Sequence, residues 1–269
     1  MRNKVLHLIV VLLLVASCKS QKNTQSKNTL DQREYSVGAV LWQQNAAEYR
    51  ALCYQAFNLA KIRLDQLIND WAHSTTPKAI ITDIDETVLD NSPYSGKQIS
   101  LNEEFTPERW TEWVNQKSAK PVPGAKLFLD YVKSLGVEVF YISNRDVEHT
   151  VATLANMQAL GFPYADKEHL LLKEETSGKQ VRRSKVQSTH QILLLMGDNL
   201  SDFDQVFENS STESRNKSAE QMRLLFGTQF IVFPNPMYGD WETKGIYEMN
   251  YDLTAKEKKA LRLKKVKSY

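Results

Sequence analysis

The segment "AIITDIDETVLDNSPY", residues 79–94, contains the strongest signal for both the fold and the functional site of this chain. Its apolar start, residues 79–81, predicts a buried strand. Four acidic residues follow at once, namely Asp83, Asp85, Glu86 and Asp90. Like charges at this spacing repel one another, so a fold that gathers them needs a cation or protons to neutralise them. The segment therefore predicts a reaction or metal site at the end of a strand.

The first residues have the pattern of an export signal. Arg2 and Lys4 flank the start of an apolar run, "VLHLIVVLLLVA", and "VASC" leads to Cys18. We interpret residues 1–17 as a signal peptide and Cys18, which resembles the cysteine of a bacterial lipobox, as a lipidated residue. A transmembrane anchor is the alternative, but the run is shorter than the ~20 residues that a span needs. The expected location is an exported, membrane-anchored lipoprotein, with the outer membrane favoured because Lys rather than Asp follows the cysteine.

The remaining chain has the composition of one globular domain. Residues 18–36 are polar and lack apolar periodicity, which predicts a flexible tether, and residues 37–269 suffice for a core with a small cap. Loss of the signal peptide removes two of the 34 basic residues and leaves a formal charge of zero against 32 acidic residues. The balance gives no indication of a nucleic-acid polymer as partner. Cys53 has no disulfide partner once Cys18 is lipidated, and is predicted to be a small core residue.

Apolar runs alternate with helical patterns along the chain. The strand-like runs are "KAIITDID", "VEVFYISN", "HLLLK", "QILLLMGDN" and "QFIVFPN". Strands that are apolar throughout are typical of a parallel sheet covered by helices on both faces. We therefore predict an α/β fold with a Rossmann-like core at about residues 77–90 and 121–235. A small, mainly helical cap is expected from about residues 37–72, 91–120 and 236–269.

Ligands of such sheets bind beyond the carboxyl ends of the strands. The polar residues at these ends are Asp83, Asp85, Ser143, Asn144, Asp198 and Asp202, and Lys173 and Lys179 lie on an intervening segment. Carboxylates gathered at one rim suit a hard cation with oxygen ligands, so one Mg²⁺ ion per chain is expected. Asp83 and Asp85, two residues apart in an extended segment, face the same side. One could attack a phosphorus atom while the other gives a proton to the leaving oxygen, with Ser143 and Lys179 on the phosphate oxygens.

The ordered motifs "DIDET", "ISN", a lysine and "GDNLSD" resemble those of the haloacid dehalogenase (HAD) superfamily. The longer segments "DIDETVLDNSPY", "VPGA", "YISNR", "GDNLSDF" and "YGDWE" look like the class C bacterial acid phosphatases, the lipoprotein e-like group. The resemblance covers about residues 37–250. It implies a HAD-type fold and a Mg²⁺-dependent acid phosphomonoesterase for small exported phosphate monoesters, nucleoside 5′-monophosphates first.

The resemblance also implies individual roles. Asp83 corresponds to the nucleophile that forms a phosphoaspartyl intermediate, and Asp85 to the general acid that later activates water. The implied metal ligands are the Asp83 side chain, the Asp85 backbone carbonyl and Asp198. Phosphate binding falls to Ser143, Asn144 and Lys179, and Asp202 orients the lysine or a metal-bound water.

Two aromatic residues have two interpretations. Trp110 falls in the insert after the nucleophile loop, and Tyr238 lies in the turn-rich "PNPMYGDWE". Stacking of a base on an aromatic ring contributes ~1–3 kcal/mol, so the pair could clamp a nucleotide base, as the resemblance supports. Plain packing is the alternative.

Several points stay open from the sequence alone. Lys179 is preferred over Lys173 as the phosphate lysine on register, and Glu86 is interpreted as facing solvent. The Lys-rich residues 256–269 predict a solvated helix end, with an anionic membrane surface as the alternative. The competing functions are a sugar-phosphate phosphatase or phosphotransferase and a non-enzymatic surface lipoprotein that binds haem. The sequence leaves the oligomeric state open.

Overall fold

The computed structural model describes residues 32–208 and 211–269. Its α-helices are α1 (Val37–Asn45), α2 (Ala47–Asp70), α3 (Ser92–Leu101), α4 (Pro107–Gln116), α5 (Ala125–Ser134), α6 (Thr150–Ala159), α7 (Gln180–Gln187), α8 (Thr212–Gln221) and α9 (Ala255–Lys265). The strands are β1 (Lys78–Thr82), β2 (Leu89–Asp90), β3 (Lys120–Pro121), β4 (Glu138–Asp146), β5 (Leu170–Lys173), β6 (Gln191–Gly197) and β7 (Phe230–Val232). A π-helical segment covers Trp241–Ile246.

The main sheet is parallel, in the order β5-β4-β1-β6-β7. β1 lies at its centre, with Thr82 paired to Tyr141 of β4 and to Met196 of β6. The carboxyl ends of these three strands therefore meet at one edge, which is where such sheets bind ligands. The predicted α/β class and parallel sheet are confirmed.

Helices cover both faces of the sheet because β1 is apolar on both sides. Ile80 belongs to the larger core cluster, together with Leu129 of α5, while Ile81 belongs to a second cluster with Val186 of α7. Successive side chains of a strand point to opposite faces, so the interior of a strand buried on both sides is apolar at consecutive positions, as at residues 79–81 of β1. The unbroken apolar runs in the sequence are the result.

Helix α2 belongs to this core, although the sequence placed residues 37–72 in the cap. Cys53 and Leu64 of α2 are fully buried in the larger core cluster. Phe57 packs on Phe233, with ring centroids 4.6 Å apart. The apolar periodicity showed that a helix forms but carried no information on which partner covers its face.

The fold also begins earlier than the predicted tether boundary allows. Within residues 18–36, Arg33 is 7% exposed and Ser36 is 2% exposed, and Glu34–Ser36 form a 3₁₀ turn. The signal peptide, Cys18 and the tether up to residue 31 lie outside the described residues. Among the helices within residues 32–208 and 211–269, none has the length and apolar character needed to cross a membrane.

A histidine ties together the edge of the sheet remote from the site. His169, just before β5, is 8% exposed, and its ring nitrogens lie 2.8 Å from Asp166 and 3.0 Å from Glu138. Burial alone would lower the pKa of His169, but hydrogen bonds and charge from Asp166 and Glu138 outweigh it and raise the pKa above its usual value. The folded state therefore holds this proton more tightly than the unfolded state does.

The stabilisation from His169 should therefore depend on pH in a defined direction. It is complete below the unfolded pKa of about 6.5 and is lost as pH rises through the higher folded value. Thermal unfolding of His169→Gln should show its largest loss in Tm relative to wild type near about pH 6, and a smaller loss at alkaline pH. The same substitution at the exposed His73 should leave Tm close to that of wild type. A loss in Tm that is equal at both pH values would contradict the assignment.

Candidate active site

Asp83 and Lys179 form the buried centre of the site. Asp83 follows β1 directly and is 7% exposed, and Lys179, just before α7, is 4% exposed. The ammonium of Lys179 donates to Asp83 Oδ1 and lies 2.7 Å from Asp202 Oδ1. Burial disfavours the charged lysine, but the carboxylates of Asp202 and Asp83 outweigh it and raise its pKa. Lys179 is therefore a permanent cation beside Asp83.

The structure separates the two candidate lysines. Lys173 lies at the end of β5 and pairs with Asp146 at 2.7 Å, with both side chains partly exposed. Lys179 instead reaches the side chain of Asp83. Of the two, Lys179 therefore occupies the position from which a lysine could bind a group attached to Asp83.

Asp202 approaches the end of β6 because Gly197 has no side chain. A Cβ atom on Gly197 would lie 2.5 Å from the Cβ of Asp202, far inside contact distance. The carboxylate of Asp202 also accepts from the backbone N–H of Asn199 at 2.9 Å, which holds the turn after the strand. Asp202 thus fixes both this turn and Lys179.

Asp198 is held by two neutral donors. Its Oδ1 accepts from the hydroxyl of Thr87 at 3.1 Å, and its Oδ2 accepts from the amide of Asn235 at 2.9 Å. Burial and the charge of Asp202 raise the pKa of Asp198 to about 7. The two neighbours that position Asp198 are thus neutral, and neither offsets the charge of its carboxylate.

The carboxylates fit a divalent cation. One oxygen each from Asp83, Asp198 and Asp202 lies within 4.8 Å of the others. Lys179 alone cannot neutralise the three, and burial together with the charges of Asp202, Asp198 and Asp85 raises the pKa of Asp83 well above its usual range despite the lysine. A donor set made only of oxygen suits a hard metal ion, which would relieve this repulsion. Asp83 and Asp198 are the residues that would hold it.

Asp85 is oriented by three side chains. Arg145, which is 3% exposed, donates from Nη2 to Asp85 Oδ1 at 2.8 Å and from Nε to Oδ1 and Oδ2 at 3.0 and 3.2 Å. Asn91 donates to Asp85 Oδ1 at 2.8 Å, and the fully buried Ser143 donates to Oδ2 at 3.2 Å. A charged and bidentate contact of this kind restricts the carboxylate to one rotamer. The contact that the structure gives Ser143 in the site is thus with Asp85.

Glu86 does not face solvent, contrary to the prediction. It is fully buried with a φ of 61°, and its carboxyl group accepts from the backbone N–H of Asn91 at 2.7 Å and from the hydroxyl of Tyr238. Burial, with Asp85 and Asp198 nearby, raises the pKa of Glu86 well above its usual range. Glu86 thus joins the loop after β1 to the loop after β7.

Trp110 and Tyr238 line one cavity of about 700 Å³ that also reaches Asp83, Asp85 and Asp198. Trp110 is also packed, edge-on against Tyr94 with ring centroids 5.0 Å apart and with the Arg145 guanidinium 5.5 Å from its ring. Trp110 is therefore packed against its neighbours and also lines the cavity.

Asn144 lies at the exposed margin of this cavity. Its side-chain oxygen accepts from Arg182 at 2.7 Å, and the same guanidinium donates to the Ser143 carbonyl at 2.6 Å. Of the predicted site residues within 32–208 and 211–269, Ser143 contacts Asp85, and the others line this cavity: Asp83, Asp85, Trp110, Asn144, Lys179, Asp198, Asp202 and Tyr238. The structure adds Thr87, Asn91, Arg145 and Asn235, which lie within the quoted segments "DIDETVLDNSPY", "YISNR" and "PNPMYGDWE" but were given no role in the site.

Comparison with known proteins points to one family. Residues 7–241 match the family described as HAD superfamily, subfamily IIIB (acid phosphatase). The structure of the class C acid phosphatase from Bacillus anthracis is similar, with a TM-score of 0.85 and 40% identity over 89% of this chain and 100% of that chain. A tungstate-bound structure of that phosphatase has the same TM-score and 39% identity.

A curated plant protein is related more distantly. The stem 31 kDa glycoprotein of Glycine max is 29% identical over 161 residues, which are 58% of this chain and 57% of that protein. This chain spans about half the length of the curated relatives it matches. The family match nevertheless covers most of the chain, including every strand that contributes to the site. The chain therefore belongs to the acid phosphatase family of the HAD superfamily, subfamily IIIB.

Proposed function

We propose that the protein is a Mg²⁺-dependent acid phosphomonoesterase that acts through a phosphoaspartyl intermediate. The observation that carries the proposal is the buried Asp83, paired with Lys179 and positioned two residues before Asp85 at the centre of the sheet edge. Tungstate, a tetrahedral oxyanion, is bound in a structure of the related Bacillus anthracis phosphatase and supports an oxyanion site in this family.

The residues divide the reaction into two displacements at phosphorus. A carboxylate oxygen of Asp83 attacks, the bond from phosphorus to the ester oxygen breaks, and Asp85 gives its proton to that oxygen. Asp85 then takes a proton from water, whose oxygen attacks the phosphoaspartate, so that phosphate leaves and Asp83 is restored. Lys179 stabilises the negative phosphoryl oxygens throughout because its charge is already in place. A Mg²⁺ ion held by Asp83 and Asp198, when bound, neutralises charge at this position.

Small phosphate monoesters, with nucleoside 5′-monophosphates first, are the proposed substrates. The cavity of about 700 Å³ has room for a nucleotide, and its lining includes Asp83, Trp110 and Tyr238. We also propose that Cys18 carries a lipid anchor at the outer membrane. Incorporation of labelled palmitate that persists in Cys18→Ser would contradict the anchor.

A substrate panel with metal removal tests the proposed activity. Chelation should abolish hydrolysis of p-nitrophenyl phosphate at mildly acidic pH, and Mg²⁺ should restore it. Trp110→Ala and Tyr238→Ala should raise KM for nucleotides by about 5- to 100-fold and change KM for p-nitrophenyl phosphate little. Trp71→Ala, at a partly exposed tryptophan outside the cavity, is the matched control.

Each arm of this experiment has its own contradicting result. Hydrolysis that persists after chelation would contradict the proposed dependence on Mg²⁺. If Trp110→Ala and Tyr238→Ala raise KM equally for nucleotides and for p-nitrophenyl phosphate, the proposed clamp on the base is contradicted. A preference for sugar phosphates would replace the nucleotide assignment and leave the phosphatase assignment intact.

Arg145 provides a further prediction because it orients the proton donor. Arg145→Gln should lower kcat by about 10- to 100-fold, with little change in KM. The loss should be larger for alkyl phosphates than for p-nitrophenyl phosphate, because a good leaving group needs less protonation. Steady-state kinetics on both substrates measure this ratio. Equal losses on the two substrates would show that Arg145 acts through the fold and not through Asp85.

A further inference from the structure

Helix α9 carries a row of lysines on its outer face. The exposed residues at positions 256, 259, 260, 263 and 264 follow the spacing of a single helix face, and exposed position 267 comes two residues after the helix ends. They are Lys256, Lys259, Ala260, Leu263, Lys264 and Lys267, and we call them the lysine stripe. The stripe contains no acidic residue, and its one large apolar side chain, Leu263, is 66% exposed. This arrangement is that of a basic amphipathic helix surface.

The inner face of α9 uses its own cations for internal contacts. Lys258 pairs with Glu104 at 3.5 Å, and the Arg262 guanidinium lies 3.6 Å from the centre of the Tyr35 ring. Lys265, at the side, pairs with Glu248 at 3.2 Å. In contrast, the four stripe lysines form no ion pair within the part of the chain that the structure describes. The fold therefore orients α9 and leaves four charges directed outward.

The contact between Arg262 and Tyr35 places this helix beside the point where the chain continues toward Cys18. Cys18 precedes the first described residue, Gln32, by 14 positions. A chain of that length reaches at most roughly 50 Å when fully extended. A lipid anchor on Cys18 would thus keep a membrane surface within reach of α9 and at high effective concentration.

We propose that the lysine stripe docks on an anionic lipid surface. Lysines close to such a surface are attracted by its negative potential, and an exposed leucine among them can enter the headgroup region. The identity of the surface rests on the lipid anchor proposed above, whereas the docking itself is independent of the phosphatase assignment. Because Lys258 on the inner face lines the active-site cavity, docking would orient that cavity relative to the membrane.

A fluorescent probe on the full-length chain tests the docking. An environment-sensitive dye is attached to Ala260→Cys, and the protein is mixed with vesicles of phosphatidylcholine alone or with added phosphatidylglycerol. We expect a blue shift of the emission only with phosphatidylglycerol, and its loss at high salt. Every sample carries Cys18→Ser, which removes the other cysteine and the proposed lipid anchor, and Cys53 is fully buried. Protein without an introduced cysteine gives the background signal. Replacing the four stripe lysines with glutamine should abolish the shift without changing hydrolysis of p-nitrophenyl phosphate.

Two matched controls make the result specific. Glutamine at four other exposed lysines, Lys97, Lys133, Lys167 and Lys185, should leave the shift unchanged. A dye at Leu127→Cys on α5, which is 76% exposed, should not respond to either lipid. The proposal is overturned by equal emission with both lipids, by a shift that persists without the stripe lysines, or by an equal response at position 127. If the dye-labelled protein shows the emission shift but does not hydrolyse p-nitrophenyl phosphate even with the stripe lysines present, that result would count against the phosphatase assignment alone.

Discussion

Asp83→Asn is expected to abolish phosphate ester hydrolysis while the protein remains folded. The amide can still accept a hydrogen bond from Lys179, so the packing of this buried position is retained. It cannot attack phosphorus, because the nitrogen lone pair is delocalised and the oxygen carries no charge. Loss of a covalent nucleophile typically lowers kcat by about 10⁴-fold or more. Steady-state assays with p-nitrophenyl phosphate and circular dichroism measure the two expectations.

The same substitution should raise stability in the absence of metal. Burial and the neighbouring carboxylates raise the pKa of Asp83, so its ionised form costs folding free energy at neutral pH. A neutral amide at this position has no such cost, and the metal-free variant should unfold at a higher temperature than wild type at pH 7. The difference should vanish below about pH 4, where the carboxyl group is protonated in both states.

Mg²⁺ and a second variant complete this test. Added Mg²⁺ should stabilise wild type more than Asp83→Asn, since the variant has lost a charged ligand. Asp90→Asn, in the same segment but bonded to Gln43 and Ser92, should keep its turnover. Appreciable turnover by Asp83→Asn would show that another group attacks phosphorus.

Lys179→Met should produce the largest loss of stability among single substitutions in the site. Removal of the ammonium leaves the carboxylates of Asp83 and Asp202 buried without their shared cation. Breaking a buried ion pair from one side typically costs about 3–5 kcal/mol. Chemical denaturation measures the change in the free energy of unfolding. Turnover should also fall, because the phosphoryl oxygens lose their permanent cation.

Lys173 provides the matched control for this substitution. Its pair with Asp146 is partly exposed, and such pairs contribute at most about 1 kcal/mol, so Lys173→Met should be close to neutral. Adding Asp202→Asn to Lys179→Met should recover part of the lost stability, because one uncompensated charge is removed. Equal effects of the two lysine substitutions would contradict the assignment of Lys179 to the site.

The sequence predicted the parts of the site that local spacing controls. Asp83 and Asp85 are two residues apart directly after an apolar strand, and Asp198 directly follows another. Parallel strands bring such positions to one edge of the sheet regardless of the loops between them. The fold class followed for the same reason, because strands buried on both faces must be apolar throughout.

Contacts between distant segments were not predictable in this way. Arg145 and Asn91 meet at Asp85, and Tyr238 reaches Glu86 across 152 positions of sequence. An acidic residue beside a strand end has the same appearance in sequence whether it is exposed or buried. Its burial depends on the loop that covers it, which for Glu86 is the loop after β7.

The difference between local sequence pattern and contacts between distant segments also explains the outcomes for α2 and for the two candidate lysines. Helical periodicity determined that residues 47–70 form a helix, but the choice between core and cap depended on which surface its apolar face covers. Lys173 ends β5, and Lys179 directly precedes α7, so each lies at the boundary of a regular element. Only the path of the chain brings the ammonium of Lys179, and not that of Lys173, to Asp83. Sequence by itself determined the strands, the sheet type and the acidic residues at the strand ends, since these depend on local pattern. Tertiary structure decided which side chains neutralise, orient and bury those acids, because electrostatic and packing energies depend on distances in space.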